Sequence, residues 1–539
     1  MNRHQKPLLL SAIIFSLILM LPVEILSFDN FVKFDEVGIP FIKPYIEKGW
    51  VFYAESLQIS PDYKHIAYVI GKDKKFSVVH DNTADPPFLG IQKGTPVFSK
   101  NSNIVVYNAR KNDKWAVVIN SKIGNCYDAV SLPFSDKYSS RIAYIAQEGI
   151  QKTVVIDGIE SKFYNGIFFK HVPSFSPDAK HFAFVAIQDN EMFMVIDNNE
   201  KKHYDMVFSP TFSHDSSHIA YAALKGTKFF IIVDEIESEA YEAIGTYEFS
   251  PNSNHLIYTA KKDNRWFVVT DTQKGPSFEK VNKPIFSADS EHVAYVVQDK
   301  SKMFLMLDSE KSPVYSEIGY IAFSPDSSRF VYMAQKDGKS FYVIDGNEEP
   351  KYDAVGLFTF SYDSKHYSYI ADNKSDNKRI IILDGKKIGK YNKVSLPSFS
   401  YDSKHIAFLV NNGNKWSVLI DGKTGSEYDE INSLIFSPDS KHIAYLAKNE
   451  GKWFSVIDDK IGKKYDNINY FCFGPNSEYF SYMAFTENIW KLVINHKEGE
   501  MKFKSLLKKV PIIFDSSTHL HTMLFNKDGD IVLLEVDIK

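Results

Sequence analysis

The stretch Ser437-Pro438-Asp439-Ser440-Lys441-His442-Ile443-Ala444-Tyr445 recurs from one end of the chain to the other. A repeat of this kind constrains a fold more than composition does. A short unit that cannot bury its own apolar face has to stack on copies of itself. Ser176, Ser213, Ser250, Ser287, Ser324 and Ser361 open successive copies 37 residues apart, and Ser400, Ser437 and Gly474 continue at the same interval. Ser60, Ser99 and Ser135 begin the series with looser spacing, and a degenerate copy at Phe514-Asp515-Ser516 ends it, which makes thirteen starts.

Within one copy, turn signals separate four short runs. Ser433–Ser437 is short and apolar, and Pro438-Asp439-Ser440 is turn chemistry: proline fixes φ, while Asp and Ser bond back to the backbone. His442–Lys448 and Trp453–Asp458 read as strands on either side of Asn449-Glu450-Gly451, and Lys464–Ile468 is a fourth run. Asp157-Gly158, Asp345-Gly346, Asp384-Gly385 and Asp421-Gly422 suit two-residue hairpin turns. Four short strands and tight turns in each copy give an antiparallel meander. No 3.6-residue helical period is present.

The second strand is apolar on both faces. Ile443, Tyr445 and Ala447 point one way, and Ala444 and Leu446 the other. A sheet with one wet face alternates apolar and polar residues, whereas a blade sandwiched between two neighbours buries both faces. A small residue mid-strand (Ala67, Ala143, Ala183, Ala220, Ala294, Ala407, Ala444) lets neighbouring blades approach. The expectation is an all-β chain of β-propeller repeats, about 13 four-stranded blades in all. One ring usually holds ~4–8 blades. Two propellers are therefore expected, one in residues 28–285 and one in 286–539, with a boundary that repeat spacing does not fix and with nesting of the rings allowed.

The two ends support closure. Lys33-Phe34-Asp35-Glu36-Val37 resembles a fourth strand such as Glu427-Tyr428-Asp429-Glu430-Ile431, and Asp530–Ile538 resembles a third strand with no fourth after it. The first can complete the sheet of the second, which hides an otherwise open edge.

The Phe-Ser-Pro-Asp-Ser pattern followed by Ile-Ala-Tyr resembles the Trp-Asp-repeat-like propeller repeats of TolB-type proteins, over roughly residues 30–539. The resemblance implies the propeller fold and says little about function. TolB is a periplasmic scaffold with an α/β domain ahead of its propeller, and the reading expects no such domain here.

Arg3 and Lys6 precede an apolar run, Leu8–Leu21, closed by Glu24. A membrane-spanning helix wants ~20 apolar residues, so residues 1–27 read as a secretory signal peptide, with an N-terminal anchor as the alternative. The chain is expected to be exported, to the periplasm or beyond the cell. Its 63 basic and 67 acidic residues are mixed throughout, for a net charge of −4. That balance lacks the basic face of a nucleic-acid binder. Two cysteines, Cys126 and Cys472, exclude a disulfide framework and a thiolate zinc site.

Chemistry-bearing residues recur instead of converging. His65, His181, His218, His255, His292, His366, His405 and His442 share one repeat position, and each is expected to bond its own Ser-Pro-Asp turn. Asp157, Asp197, Asp234, Asp308, Asp345, Asp384, Asp421 and Asp458 close third strands, where turn formation explains them. A catalytic carboxylate pair needs one special place. Trp115, Trp266, Trp416, Trp453 and Trp490 share a slot five residues before an Asp or Asn. They are the candidate binding aromatics, with packing between blades as the competing explanation. Asn526-Lys527-Asp528-Gly529-Asp530 reads as a hairpin turn ahead of a calcium loop. No catalytic residue, cofactor or metal site is assigned, and nucleophile-elbow, zincin and phosphate-loop motifs are absent. Cys126 and Asp372–Arg379 depart from the repeat without forming a recognisable set. The expected function is non-enzymatic: a scaffold that binds a protein or peptide partner in the cell envelope. The alternative is a propeller hydrolase or lyase acting on glycans or peptides.

Overall fold

The computed structural model describes residues 34–40, 45, 48–135, 140–168, 174–373 and 378–539. The leader read at residues 1–27 lies outside them. The chain is an all-β propeller. A typical blade runs Ala243–Phe249, Leu256–Lys262, Arg265–Thr270, Gln273–Lys274, paired antiparallel in that order. Twelve sheets of this kind occur among the described residues, the largest with nine strands. In that sheet Phe503 bridges Trp490 and then continues into the first strand of the final repeat, joining two repeats into one ladder.

Packing explains the two-faced apolar strands. Ala67, Ala143, Ala183, Ala220, Ala294, Ala407 and Ala444 are all fully buried, so a larger side chain at any of them forces the sheets apart. Each core is shared by two repeats. Ile257, Val268 and Phe278 of one meet Tyr295, Val297, Phe304 and Met306 of the next, and each such side chain is worth ~1.5–3 kcal/mol when fully buried. Thirteen cores of this make succeed one another. One of them joins the two ends of the described chain: Ile66, Tyr68, Ile70 and Val79 pack against Leu507, Val510, Met523, Ile531 and Leu533. Lys64 pairs with Asp515 at 3.0 Å across this junction, and Nε2 of the buried His521 lies 2.8 Å from the carbonyl of Asp62. Strand Phe34–Pro40 pairs antiparallel with Ile531–Ile538, Phe34 opposite Ile538. The N-terminal strand thus completes the C-terminal sheet, as the matching sequences suggest.

First strands of consecutive sheets lie against one another, as Thr211–Phe212 does with Ala243–Phe249 and Ser398–Phe399 with Glu430–Phe436. Sheets that radiate from an axis meet at their inner edges, so the first strands line the axis and the fourth strands form the outer rim. The division anticipated near 285/286 falls inside the strand Ile285–Phe286, and Phe286 packs against the core that Ile257 shares with Tyr295.

The Ser-Pro-Asp turn makes two kinds of bond. Inside one repeat, Ser437 Oγ donates to Asp439 Oδ1 at 2.6 Å and accepts the backbone N–H of His442 at 2.9 Å. Between repeats, the backbone N–H of the turn Asp or Asn donates to the serine three residues after the opening serine of the next repeat, as Asp402 does to Ser440 (3.0 Å) and Asp439 to Ser477 (2.9 Å). Nine such links occur among the described residues. The accepting serines are left-handed, with φ of 64° at Ser440 and 65° at Ser477. This local strain is held by the turn on each side.

The histidines correct the sequence reading in one respect. The His backbone N–H, not its ring, goes to the turn. The ring Nδ1 meets the third-strand aspartate: His218 to Asp234 Oδ2 at 2.6 Å, His405 to Asp421 at 2.8 Å, His442 to Asp458 at 2.6 Å. The other carboxylate oxygen accepts the N–H of the residue after the histidine, as Asp458 does from Ile443 at 3.0 Å. Arg141 and Arg329 fill the same role with Asp157 and Asp345. Histidine and aspartate therefore pin the second strand to the third in repeat after repeat.

Candidate functional site

With the recurring polar residues tied up in the frame, the surface that departs from the repeat stands out. Fifteen large hydrophobic residues are exposed among the described residues. Most sit singly at turns, but five fall in three consecutive repeats: Tyr320, Leu357, Tyr362, Leu396 and Tyr401. All the aromatic ones are in this group.

Their exposure follows from local backbone. First strands are bulged at mid-length, and the bulge residue loses its ladder partner and is turned off the sheet. The register breaks between Gly319 and Ile321 and between Gly356 and Thr359. Tyr320 and Leu357 are left-handed there, at φ 36° and 54°, and project from the strand that faces the axis. Leu396 lies in the corresponding gap between Lys393–Val394 and Ser398–Phe399. At the end of the same strands, Tyr362 and Tyr401 occupy the slot that proline holds in Ser-Pro-Asp. Their rings stack at 5.4 Å between centroids and 22° between planes, with 59% and 56% of each residue exposed. Offset aromatic pairs prefer this separation, and an exposed pair presents a flat, rigid face. Pro325 and Pro438 continue the row on either side, also exposed.

Charge along this row is balanced. Ser400 donates to Asp402 and holds its carboxyl down to about 2, so it is ionised at neutral pH. Lys404 lies 3.1 Å from it, and Lys365 lies 3.7 Å from Asp363.

At the opposite ends of the same strands, a cleft of about 650 Å³ opens between two of these repeats. It is lined by Asp353, Asp372, Lys378, Arg379, Lys393 and Trp416, among others. Lys339 Nζ donates to Asp353 Oδ1 at 2.7 Å, and Arg379 Nε lies 3.8 Å from Asp372 Oδ1. The Asp372–Arg379 departure, which formed no set in the sequence, thus borders a cleft whose other residues come from the next repeat. Residues 374–377 of that segment lie outside the described residues.

The candidate tryptophans do not gather. Each opens a third strand opposite its own aromatic partner: Trp115 with Tyr127, Trp266 with Phe278, Trp416 with Tyr428, Trp453 with Tyr465, Trp490 with Phe503. Trp416, Trp453 and Trp490 pack on three different cores, so these three form no shared platform. Sequence reasoning passed over Tyr362 and Tyr401. The signal was the loss of proline in two consecutive copies, Ser361-Tyr362-Asp363 and Ser400-Tyr401-Asp402, flanking an interval wider than the usual 37 residues.

No protein-family model matches the chain, and no curated protein does either. Among solved structures, a eukaryotic initiation factor is similar at 15% identity, over 60% of this chain and 96% of that one, with a TM-score of 0.30. TolB from Acinetobacter baumannii is similar at 14% identity over 45% of this chain and 77% of that one, with a TM-score of 0.20. The Dos1 propeller is similar at 13% identity over 61% and 91%, with a TM-score of 0.24.

Proposed function

We propose that this chain is an exported, non-catalytic β-propeller scaffold of the cell envelope that holds a protein or peptide partner on the sector carrying Tyr320, Leu357, Tyr362, Leu396 and Tyr401. The observation that carries the reading is the exposed Tyr362–Tyr401 stack. Rigid aromatic side chains that offer large contact area at low entropic cost are the anchors of protein interfaces. The bulge residues extend this apolar face toward the axis, and the charged cleft at the other end of the same strands offers hydrogen-bonding groups. Export rests on the basic and apolar pattern of residues 1–27. We further propose a single closed ring in place of two. The junction of Ile66 and Tyr68 with Met523 and Leu533 is the one core among those described that joins non-consecutive repeats, whereas two rings call for two such junctions.

The test is site-specific photo-crosslinking in native cells, with the probe at position 362 and, as control, at Ile150, an exposed residue of the turn between a second and a third strand. Recovery of one partner from position 362 alone, lost in a Tyr320→Ser/Leu357→Ser variant, supports the reading. Equal capture from both positions refutes it. Turnover of a glycan or peptide that disappears in Asp372→Asn replaces it with the hydrolase or lyase alternative.

A further inference from the structure

One residue breaks the rule of its position. The residue before the third-strand Asp or Asn is Ile, Val, Leu or Thr in every other repeat, as at Ile156, Ile196 and Ile457, but it is His80 in the first. This histidine stands beside one of the recurring His–Asp pairs. His65 Nδ1 is 2.8 Å from Asp81 Oδ2, and His80 Nε2 is 3.5 Å from the same oxygen. Donor atoms of all three side chains lie within 4.8 Å of one another. Among the described residues, Nε2 of His80 is buried without a hydrogen-bond partner. An unsatisfied buried nitrogen is destabilising, and here it faces a carboxylate that a second imidazole already contacts.

We propose that His65, His80 and Asp81 bind a divalent first-row transition ion of the zinc type through Nδ1, Nε2 and Oδ2, with the fourth position open to water or to a group from a bound molecule. Zinc sits about 2.0–2.2 Å from nitrogen and oxygen ligands in a tetrahedron, which sets its ligand atoms about 3.3 Å apart. The His80–Asp81 separation already meets this, and the His65–Asp81 contact lengthens by about half an ångström as the ion replaces the proton between them. Two imidazoles and one carboxylate suit zinc and its neighbours; calcium and magnesium favour all-oxygen shells. The carboxylate is oriented for the task, because Oδ1 accepts the N–H of Ile66 at 3.0 Å and leaves Oδ2 to the ion. Such second contacts fix a ligand's geometry. The His80 ring is also backed by Phe98 at 5.8 Å. The side chains of all three residues keep solvent access of 31–40%, which leaves an entry path. Among the described residues, no other His–Asp pair joins a third His, Cys, Asp or Glu donor with all three atoms within 4.8 Å of one another.

The experiment uses the whole exported chain, purified without a polyhistidine tag and stripped with a chelator. It is titrated with Zn²⁺ by calorimetry and with Co²⁺ by visible absorption. One equivalent is expected to bind, with the d–d bands of a low-symmetry cobalt site. His80→Ile installs the residue that other repeats use, so the fold is expected to survive, with an unchanged circular dichroism spectrum. Its affinity is expected to fall by more than the ~10–100-fold that loss of an outer partner causes. Ile196→His places a third donor beside the His181–Asp197 pair and is expected to create a second equivalent. Unchanged affinity in His80→Ile, or no binding by the parent chain, overturns the proposal.

Discussion

Removing the Met523 side chain tests whether the ends of the chain hold the ring closed. Met523 is fully buried in the core that joins the last repeat to Ile66, Tyr68 and Ile70. Met194 is equally buried, in a core between two repeats that follow one another directly. Met523→Ala and Met194→Ala thus delete the same atoms from equally closed surroundings, each at a cost of about 2–5 kcal/mol. The consequences differ. The two sides of the Met194 core stay tethered by a few residues, whereas the two sides of the Met523 core are covalently linked only through the rest of the ring, apart from the paired strand Phe34–Pro40, and opening there releases the entropy of a very long loop. Met523→Ala is expected to speed amide exchange in Phe34–Pro40, Ile66–Lys72 and Ile531–Ile538 together. At about 1.4 kcal/mol per tenfold, the factor is roughly 30 to several thousand. Met194→Ala is expected to leave those three strands protected. Hydrogen exchange read by mass spectrometry on both variants decides the matter. If exchange in Ile531–Ile538 is unaffected by Met523→Ala, or equally affected by both, the reasoning fails.

Asp458→Ala removes the acceptor of the Ile443 N–H and the carboxylate that meets the His442 ring, whose side chain is only 8% exposed. It should lower the urea midpoint by the equivalent of about 1–3 kcal/mol. Asp458→Asn keeps an acceptor, as Asn120 does for Val105, and should cost less. Serine hydroxyls hold the Asp178, Asp215, Asp326 and Asp402 carboxyls below their usual range. Groups with depressed folded pKa values stabilise fully above the unfolded value, about 4, and lose that contribution as pH falls through the folded one. Near-UV circular dichroism should therefore be flat down to about pH 4 and fall toward pH 2, and a loss that begins near pH 6 contradicts the assignment. Cys126 is exposed, whereas burial pushes the Cys472 thiol up to about 11, so iodoacetamide near pH 8 should label the first and spare the second in the folded chain, as read by peptide mass spectrometry.

The repeat, the four strands and the matching ends were legible because each is written in local chemistry: turn residues, period-two strands and an apolar pattern on two faces. The His–Asp pairing was not. His218 and Asp234 are 16 residues apart, and only the register of the hairpin between them puts ring and carboxylate side by side, while the Ser-Pro-Asp turn lies closer in sequence. The tryptophans looked like a platform because they share a slot, but a shared slot in a radial array spaces residues apart. The same logic hid Tyr362 and Tyr401, which matter by differing from their counterparts. The cleft at Asp372 and Arg379 needed residues from the following repeat, which no reading of one segment supplies.

The links between turns all run one way. The backbone N–H of Asp402 reaches forward to Ser440, and that of Asp439 reaches forward to Ser477. Each of the seven repeats that open at Ser213 through Ser437 is therefore a donor toward one neighbour and an acceptor toward the other. A gene that gains or loses one whole repeat keeps donor and acceptor matched at the new joint, whereas an unequal exchange that cuts within a repeat leaves a donor facing nothing. The size of the ring can thus drift by whole units without any joint being redesigned, and no individual joint records how many units the ring contains.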